Sequence, residues 1–164
     1  MDALMIPEGK VRELEALCIQ RSWTVGCAES CTGGLLASSI CAYPGVSSFF
    51  KGGVISYARS VKAGILNVPE PLLRVHGEVS LPVAKAMSEG ARLALDCTWA
   101  VSVTGVAGPS GGSPQKPVGF VCFAVSGPGF ERAVQHQFDG RGGRQDIQRQ
   151  AALFAFDFLL NAMR

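Results

Sequence analysis

An α/β layered domain built on a mixed sheet is what the sequence predicts, and three observations carry that reading. Helical and strand patterns alternate along most of the chain. The first two strand candidates each lead on into a helix, and the third ends in a long glycine-rich loop. A late pair of β-rich segments, joined by Gly127-Pro128-Gly129, reads as an antiparallel hairpin, which makes the sheet mixed rather than purely parallel. At 164 residues, nearly half of them apolar, the chain is long enough to bury one core without disulfide or metal staples.

The elements follow in order. Pro7 opens a helix whose apolar side is Val11, Leu14, Leu17 and Cys18. Thr24-Val25-Gly26-Cys27 is a short buried strand. Leu35 to Cys41 forms a compact helix that Pro44-Gly45 stops. Lys51 to Tyr57 is a second strand feeding a helical stretch from Ala58 to Leu66. Pro69 to Val75 is a further short helix, ended by His76-Gly77. Ser80 caps a longer one, with Pro82 in its first turn and Val83, Met87, Ala91, Ala94 and Leu95 facing inward. Trp99 to Val103 is the third strand. Val118 to Ser126 and Phe130 to Phe138 make the hairpin. The last helix runs from about Arg144 to Met163 with Ile147, Ala151, Phe154, Ala155, Phe158 and Leu159 in one stripe. A ligand site in such a fold is expected at the carboxyl ends of the strands.

Composition excludes several classes of function. A net charge of +2 with scattered basic residues gives no footprint for nucleic acid as a specific partner. No apolar run is long enough to cross a bilayer, and Met1-Asp2-Ala3-Leu4-Met5 lacks the pattern of a secretory leader. The six cysteines form no C-x-x-C pair and there are only two histidines, so reduced thiols, a cytoplasmic location and no metal site are expected.

Three loops carry the chemistry. In Ala28-Glu29-Ser30-Cys31-Thr32-Gly33-Gly34 a strand passes through hydroxyl residues into a helix, where free N–H groups suit an anion or a developing oxyanion. Taken alone, the stretch reads as an ordinary helix cap, and it is not a G-x-S-x-G elbow. Tyr57 and Lys62 stand at a strand end and in the helix that follows. A lysine kept partly dry there would lose charge and serve as a base, although a solvated lysine is the usual case. The glycine- and proline-rich run from Thr104 to Gly119 is long for a mere connection and reads as a ligand cradle, without being a Walker A loop.

Taken together with Gly53-Val54-Ile55-Ser56-Tyr57, His76-Gly77-Glu78-Val79-Ser80, Val103-Thr104-Gly105-Val106-Ala107-Gly108-Pro109 and the 111–119 segment, these loops appear in one order. The sequence resembles the CinA C-terminal domain family, whose characterised activity is nicotinamide-nucleotide amidase. The resemblance covers nearly the whole chain, 1–164. It implies a three-layer α/β/α sandwich, assembly as a homodimer, a small-molecule nucleotide substrate and no cofactor. It also implies that the nucleotide-pyrophosphatase domain of two-domain relatives is absent here. By that resemblance Ser30 matches the nucleophile, and Tyr57 and Lys62 match its activating pair. The expected substrate-binding set is Glu29, Thr32, Gly33, Thr104, Gly105, Gly108, Arg141 and Arg144; Arg144 is expected to hold the substrate's 5′-phosphate, with Arg141 and Lys116 as cations that could share it. One position departs from the family: its usual Gly-Asp-Arg reads Gly142-Gly143-Arg144. Two other readings stand beside the serine amidase, a non-catalytic ligand-sensing domain and a thiol enzyme using Cys31.

Overall fold

The computed structural model describes residues 6–164, so the reading of Met1–Met5 lies outside the described residues. Five strands form one sheet in the order β2-β1-β3-β4-β5. β1 (Val25–Glu29) lies between β2 (Phe50–Ile55) and β3 (Trp99–Gly105), parallel to both, while β4 (Phe120–Gly127) and β5 (Phe130–Gln137) continue the sheet antiparallel. The sheet is mixed, as the hairpin requires. Pairing on both sides carries β1 through Glu29, two residues past its expected end, with Glu29 opposite Ile55 and Val103. Pairing with β4 likewise extends β3 to Gly105.

Alternation along the central strands builds two cores. Val25, Cys27, Trp99, Val101, Val103, Val121, Phe123 and Val125 pack on one face against α1 (Glu8–Arg21), α2 (Leu35–Cys41) and α6 (Gly143–Met163). The opposite face presents smaller residues, among them Ala28, Ala100, Ser102, Cys122 and Ala124. Small side chains let α5 (Leu81–Ala94) lie close to the strands, with α4 (Glu70–His76) and the segment after α3 (Arg59–Gly64) beside it. Ser102 donates to the Ala84 carbonyl at 2.6 Å, and the Ser88 and Ser126 hydroxyls meet at 2.6 Å. The result is a three-layer α/β/α sandwich.

One inward position is corrected: Ala94, in the last turn of α5, is exposed, while half-buried Leu95 packs against the second core. In α6 the deepest large side chain is Phe156, while Phe154 and Phe158 are half-buried; Phe154 lies over Phe123 with ring centroids 4.5 Å apart. The Ser80 cap holds as expected, its hydroxyl accepting from Val83 N–H at 3.4 Å.

The closest seat in the second core is at Gly90, where an added Cβ would lie 2.0 Å from the Leu66 carbonyl oxygen. Alanine is ordinarily the better helix former. Here backbone stands in the way, so Gly90→Ala is expected to destabilise the protein by about 1–3 kcal/mol, read as a lowered denaturant midpoint.

The chain leaves β1 through α2 to reach β2 on one side, then returns through α3 to α5 to β3 on the other. That makes the crevice beyond the ends of β1 and β3 a topological switch point.

Candidate active site

Ser30 follows β1 directly, anchored by its N–H on the Val103 carbonyl at 3.0 Å and by its own carbonyl, which accepts from Gly33 at 3.0 Å. Gly33 and Gly34 complete the turn at φ of 62° and 101°, where a side chain would be strained. The start of α2 is not open to a ligand anion. Glu29, fully buried, accepts from the N–H groups of Gly34 and Leu36 at 3.1 Å each and of Ala37 at 2.8 Å. Glu29 is therefore a cap supplied by the strand itself, a correction to its expected place among the substrate contacts. Strand alternation aims it, like Cys27, at the face that α2 covers.

Lys62 projects from α3 into the same crevice and is only 1 % exposed. Its Nζ lies 3.0 Å from Ser30 Oγ and donates to the carbonyls of Ser56 at 2.8 Å and Tyr57 at 3.3 Å. Glu78 Oε1 stands 3.5 Å away. Burial pushes the Lys62 ammonium below its ordinary pKa, opposed by the nearby Glu78 carboxylate. A neutral amine in this position keeps a lone pair for the serine proton while its N–H groups face carbonyl oxygens.

Tyr57 lines the cavity, yet its hydroxyl is directed elsewhere. It accepts from Arg144 Nη2 at 3.1 Å, and the side chain is 59 % exposed. Contact with Lys62 runs through the Tyr57 carbonyl. Arg144 also donates from Nη1 to the Gly108 carbonyl at 2.7 Å, so one guanidinium ties the β2 exit, the glycine loop and the start of α6 together.

These groups surround a cavity of about 240 Å³ lined by Ser30, Lys62, Glu78, Thr104, Gly105, Gly108 and Arg144 among others. Thr104 donates from Oγ1 to the Glu78 carbonyl at 2.9 Å, so its hydroxyl proton is already engaged. Four expected residues lie elsewhere. Thr32 and Gly33 border a separate hollow with Gln148. Arg141 projects into solvent, its side chain 92 % exposed and paired with Asp139. Lys116 donates to the His76 carbonyl at 2.8 Å. Cys31 does line the cavity, but burial pushes its thiol up to about 12, which keeps it protonated and poorly nucleophilic. Among the described residues no histidine lines the cavity and no cluster of three metal-ligating side chains occurs.

Two residues were missed by sequence reasoning. Glu78 sits inside the 76–80 motif without a role assigned to it; its signal is an acid between a helix-ending His-Gly and a helix-capping serine. Gln148, one turn into α6, donates to the Cys31 carbonyl at 2.9 Å, and nothing in its sequence surroundings distinguishes it from a surface glutamine.

Comparison with known proteins places this geometry in a family. The CinA C-terminal domain profile matches residues 8–163. A CinA-like protein of Anaeromyxobacter sp. (strain K) is 46 % identical over 159 residues, covering 97 % of this chain and 38 % of the relative. One from Gloeobacter violaceus is 45 % identical over 144 residues, covering 88 % and 34 %. The chain thus spans little more than a third of the curated relatives it matches. Among solved structures, the competence/damage inducible protein CihA of Agrobacterium tumefaciens superposes with a TM-score of 0.90 at 31 % identity, each chain covered completely. A competence-damaged protein (CinA) superfamily protein of Escherichia coli gives 0.87 at 32 % identity, covering 92 % of this chain and 87 % of that one. The chain belongs to the CinA C-terminal domain family.

Proposed function

We propose that the protein is an amidohydrolase that converts nicotinamide mononucleotide and water into nicotinate mononucleotide and ammonia, with Ser30 as nucleophile. The observation that carries this reading is the 3.0 Å contact between Ser30 Oγ and a buried Lys62 Nζ. Substrate identity comes from the resemblance to the family's characterised activity.

In this reading Ser30 Oγ bonds to the carboxamide carbon as its proton passes to neutral Lys62, and the carbonyl π pair moves onto oxygen. With Glu29 filling the N–H groups of Gly34, Leu36 and Ala37, the turn residue left on the cavity wall to offer its N–H to that oxyanion is Cys31. Collapse breaks the C–N bond as Lys62 returns its proton to the leaving nitrogen, releasing ammonia. Water then attacks the acyl-serine, gives a proton to Lys62, and Ser30 leaves and regains that proton. Tyr57 serves this scheme through its carbonyl, which orients the amine, and through its hydroxyl, which positions Arg144.

Arg144 is our contact for the 5′-phosphate. Two of its five donors are engaged within the protein, which leaves three for a phosphate oxygen pair. A charge-assisted contact contributes roughly 1.5–3 kcal/mol, so Arg144→Ala should lower kcat/KM for the mononucleotide about ten- to a hundredfold. Loss of the tether to Tyr57 and Gly108 will weaken use of the phosphate-free riboside too, but less. Equal losses for both substrates would assign Arg144 to loop tethering alone.

Ammonia release from the mononucleotide by purified, chelator-treated protein tests the whole reading. Binding of the mononucleotide without ammonia release would instead identify a ligand-sensing domain. The resemblance also supports a cytoplasmic homodimer, which sedimentation equilibrium checks. No helix among the described residues is long and apolar enough to cross a membrane.

A further inference from the structure

Four oxygen groups surround Lys62 Nζ: Ser30 Oγ, the Ser56 and Tyr57 carbonyls, and the Glu78 carboxylate. Only one of them carries charge. We propose that Glu78 is a positioning residue for Lys62: its carboxylate holds the amine toward Ser30 and balances the positive charge that the lysine gains on taking the serine proton. The inference rests on the reading of Ser30 and Lys62 as a nucleophile–base pair, and adds a third member to it.

The backbone around Glu78 is fixed from three directions. Gly77, at φ of 76°, ends α4, and its carbonyl accepts from Ser80 Oγ at 3.0 Å. Thr104, at the end of β3, donates to the Glu78 carbonyl at 2.9 Å, and Lys116 donates to the His76 carbonyl at 2.8 Å. An acid with its main chain pinned in this way, on the cavity wall and 3.5 Å from a buried amine, is placed to act on that amine. Its side chain is 42 % exposed, so it keeps water on one side and faces the amine without burying a second charged side chain.

The carbonyls of Ser56 and Tyr57 orient Lys62 in either protonation state, but they offer only dipoles to the lysinium. A carboxylate offers a full opposite charge, and within 4–6 Å such a charge favours the protonated amine. The other groups facing the amine do not substitute for it. Cys31, across the β1 turn, is held as a neutral thiol; Tyr57 is engaged through its hydroxyl with Arg144; and Arg144 is itself cationic.

The test is the titration of Lys62, followed by NMR in protein carrying ¹³Cε-lysine and assigned with Lys62→Met. In Glu78→Gln the lysine is expected to lose its proton at lower pH than in wild type, and Glu78→Asp, which restores the charge at shorter reach, should recover part of the difference. With the mononucleotide, Glu78→Gln should extend the acid limb of kcat to lower pH while its high-pH plateau falls about three- to tenfold, with KM little changed. A residue that only braced the 76–80 turn would move neither the titration nor the limb. An unchanged Lys62 titration in Glu78→Gln overturns the inference, even if the mononucleotide is hydrolysed. A shifted titration sustains it even if the mononucleotide proves not to be the substrate, because the NMR measurement requires none.

Discussion

Ser30→Ala is expected to abolish ammonia release, with a loss of at least about 10³-fold in turnover by the scale of serine-nucleophile deletions. The fold should survive the change. Ser30 is held by main-chain bonds to Val103 and Gly33, which alanine keeps. Removing Oγ does not orphan Lys62 either, since the Ser56 and Tyr57 carbonyls and Glu78 still face its Nζ. The thermal midpoint should therefore stay within a few degrees of wild type, and calorimetry should still detect mononucleotide binding. Cys31→Ala is the matched control: it keeps the N–H assigned to the oxyanion and removes a thiol that burial holds protonated, so turnover should stay within about tenfold of wild type. If Ser30→Ala instead turns over substrate at a near-normal rate, the serine mechanism is wrong.

Lys62→Met is expected to lower kcat by about 10²–10⁴-fold, the usual contribution of a general base, with a much smaller effect on KM. Methionine fills the channel occupied by the lysine stem and removes a buried charge, so no destabilisation comparable to a cavity mutation is expected. The pH dependence gives the sharper readout. Lys62 accepts the serine proton only when neutral, and its burial lowers the pH at which it becomes so. Wild-type activity should consequently rise with pH through the Lys62 ionisation and level off above it. Residual activity of Lys62→Met should lack that limb. A variant with wild-type rate and an unaltered profile would place the base elsewhere.

Much of this arrangement was legible in the sequence because it depends on local pattern. Short apolar strands running into polar turns put Ser30, Tyr57 and the glycine loop at one end of a sheet, and the late hairpin announced the antiparallel strands. What stayed hidden depends on distances between segments far apart in the chain. Glu29 reads as a ligand contact until the end of β1 is known, because only a strand extended by two residues fixes the face its side chain takes. Glu78 acquires meaning only when α3 and the α4–α5 turn are brought together, 16 residues apart in sequence and 3.5 Å apart in space. Arg141 and Arg144 look equivalent in a glycine-rich approach to a helix, yet one turn of chain sends the first into solvent and the second across the cavity. Phe154 and Phe156 show the same limit in the core, where the packing of α6 against β3 and β4 selects which aromatic goes deepest.

The carboxylate of Glu29 has a consequence for ionic competition. An exposed helix start beside a nucleophile would attract sulfate, phosphate or chloride from solution, and each would compete with the substrate there. In this protein that attraction is saturated from within by a group that cannot diffuse away. In the proposed reaction, selection among anions then falls to Arg144 on the cavity wall, while the surroundings of Ser30 discriminate by shape and neutral hydrogen bonding.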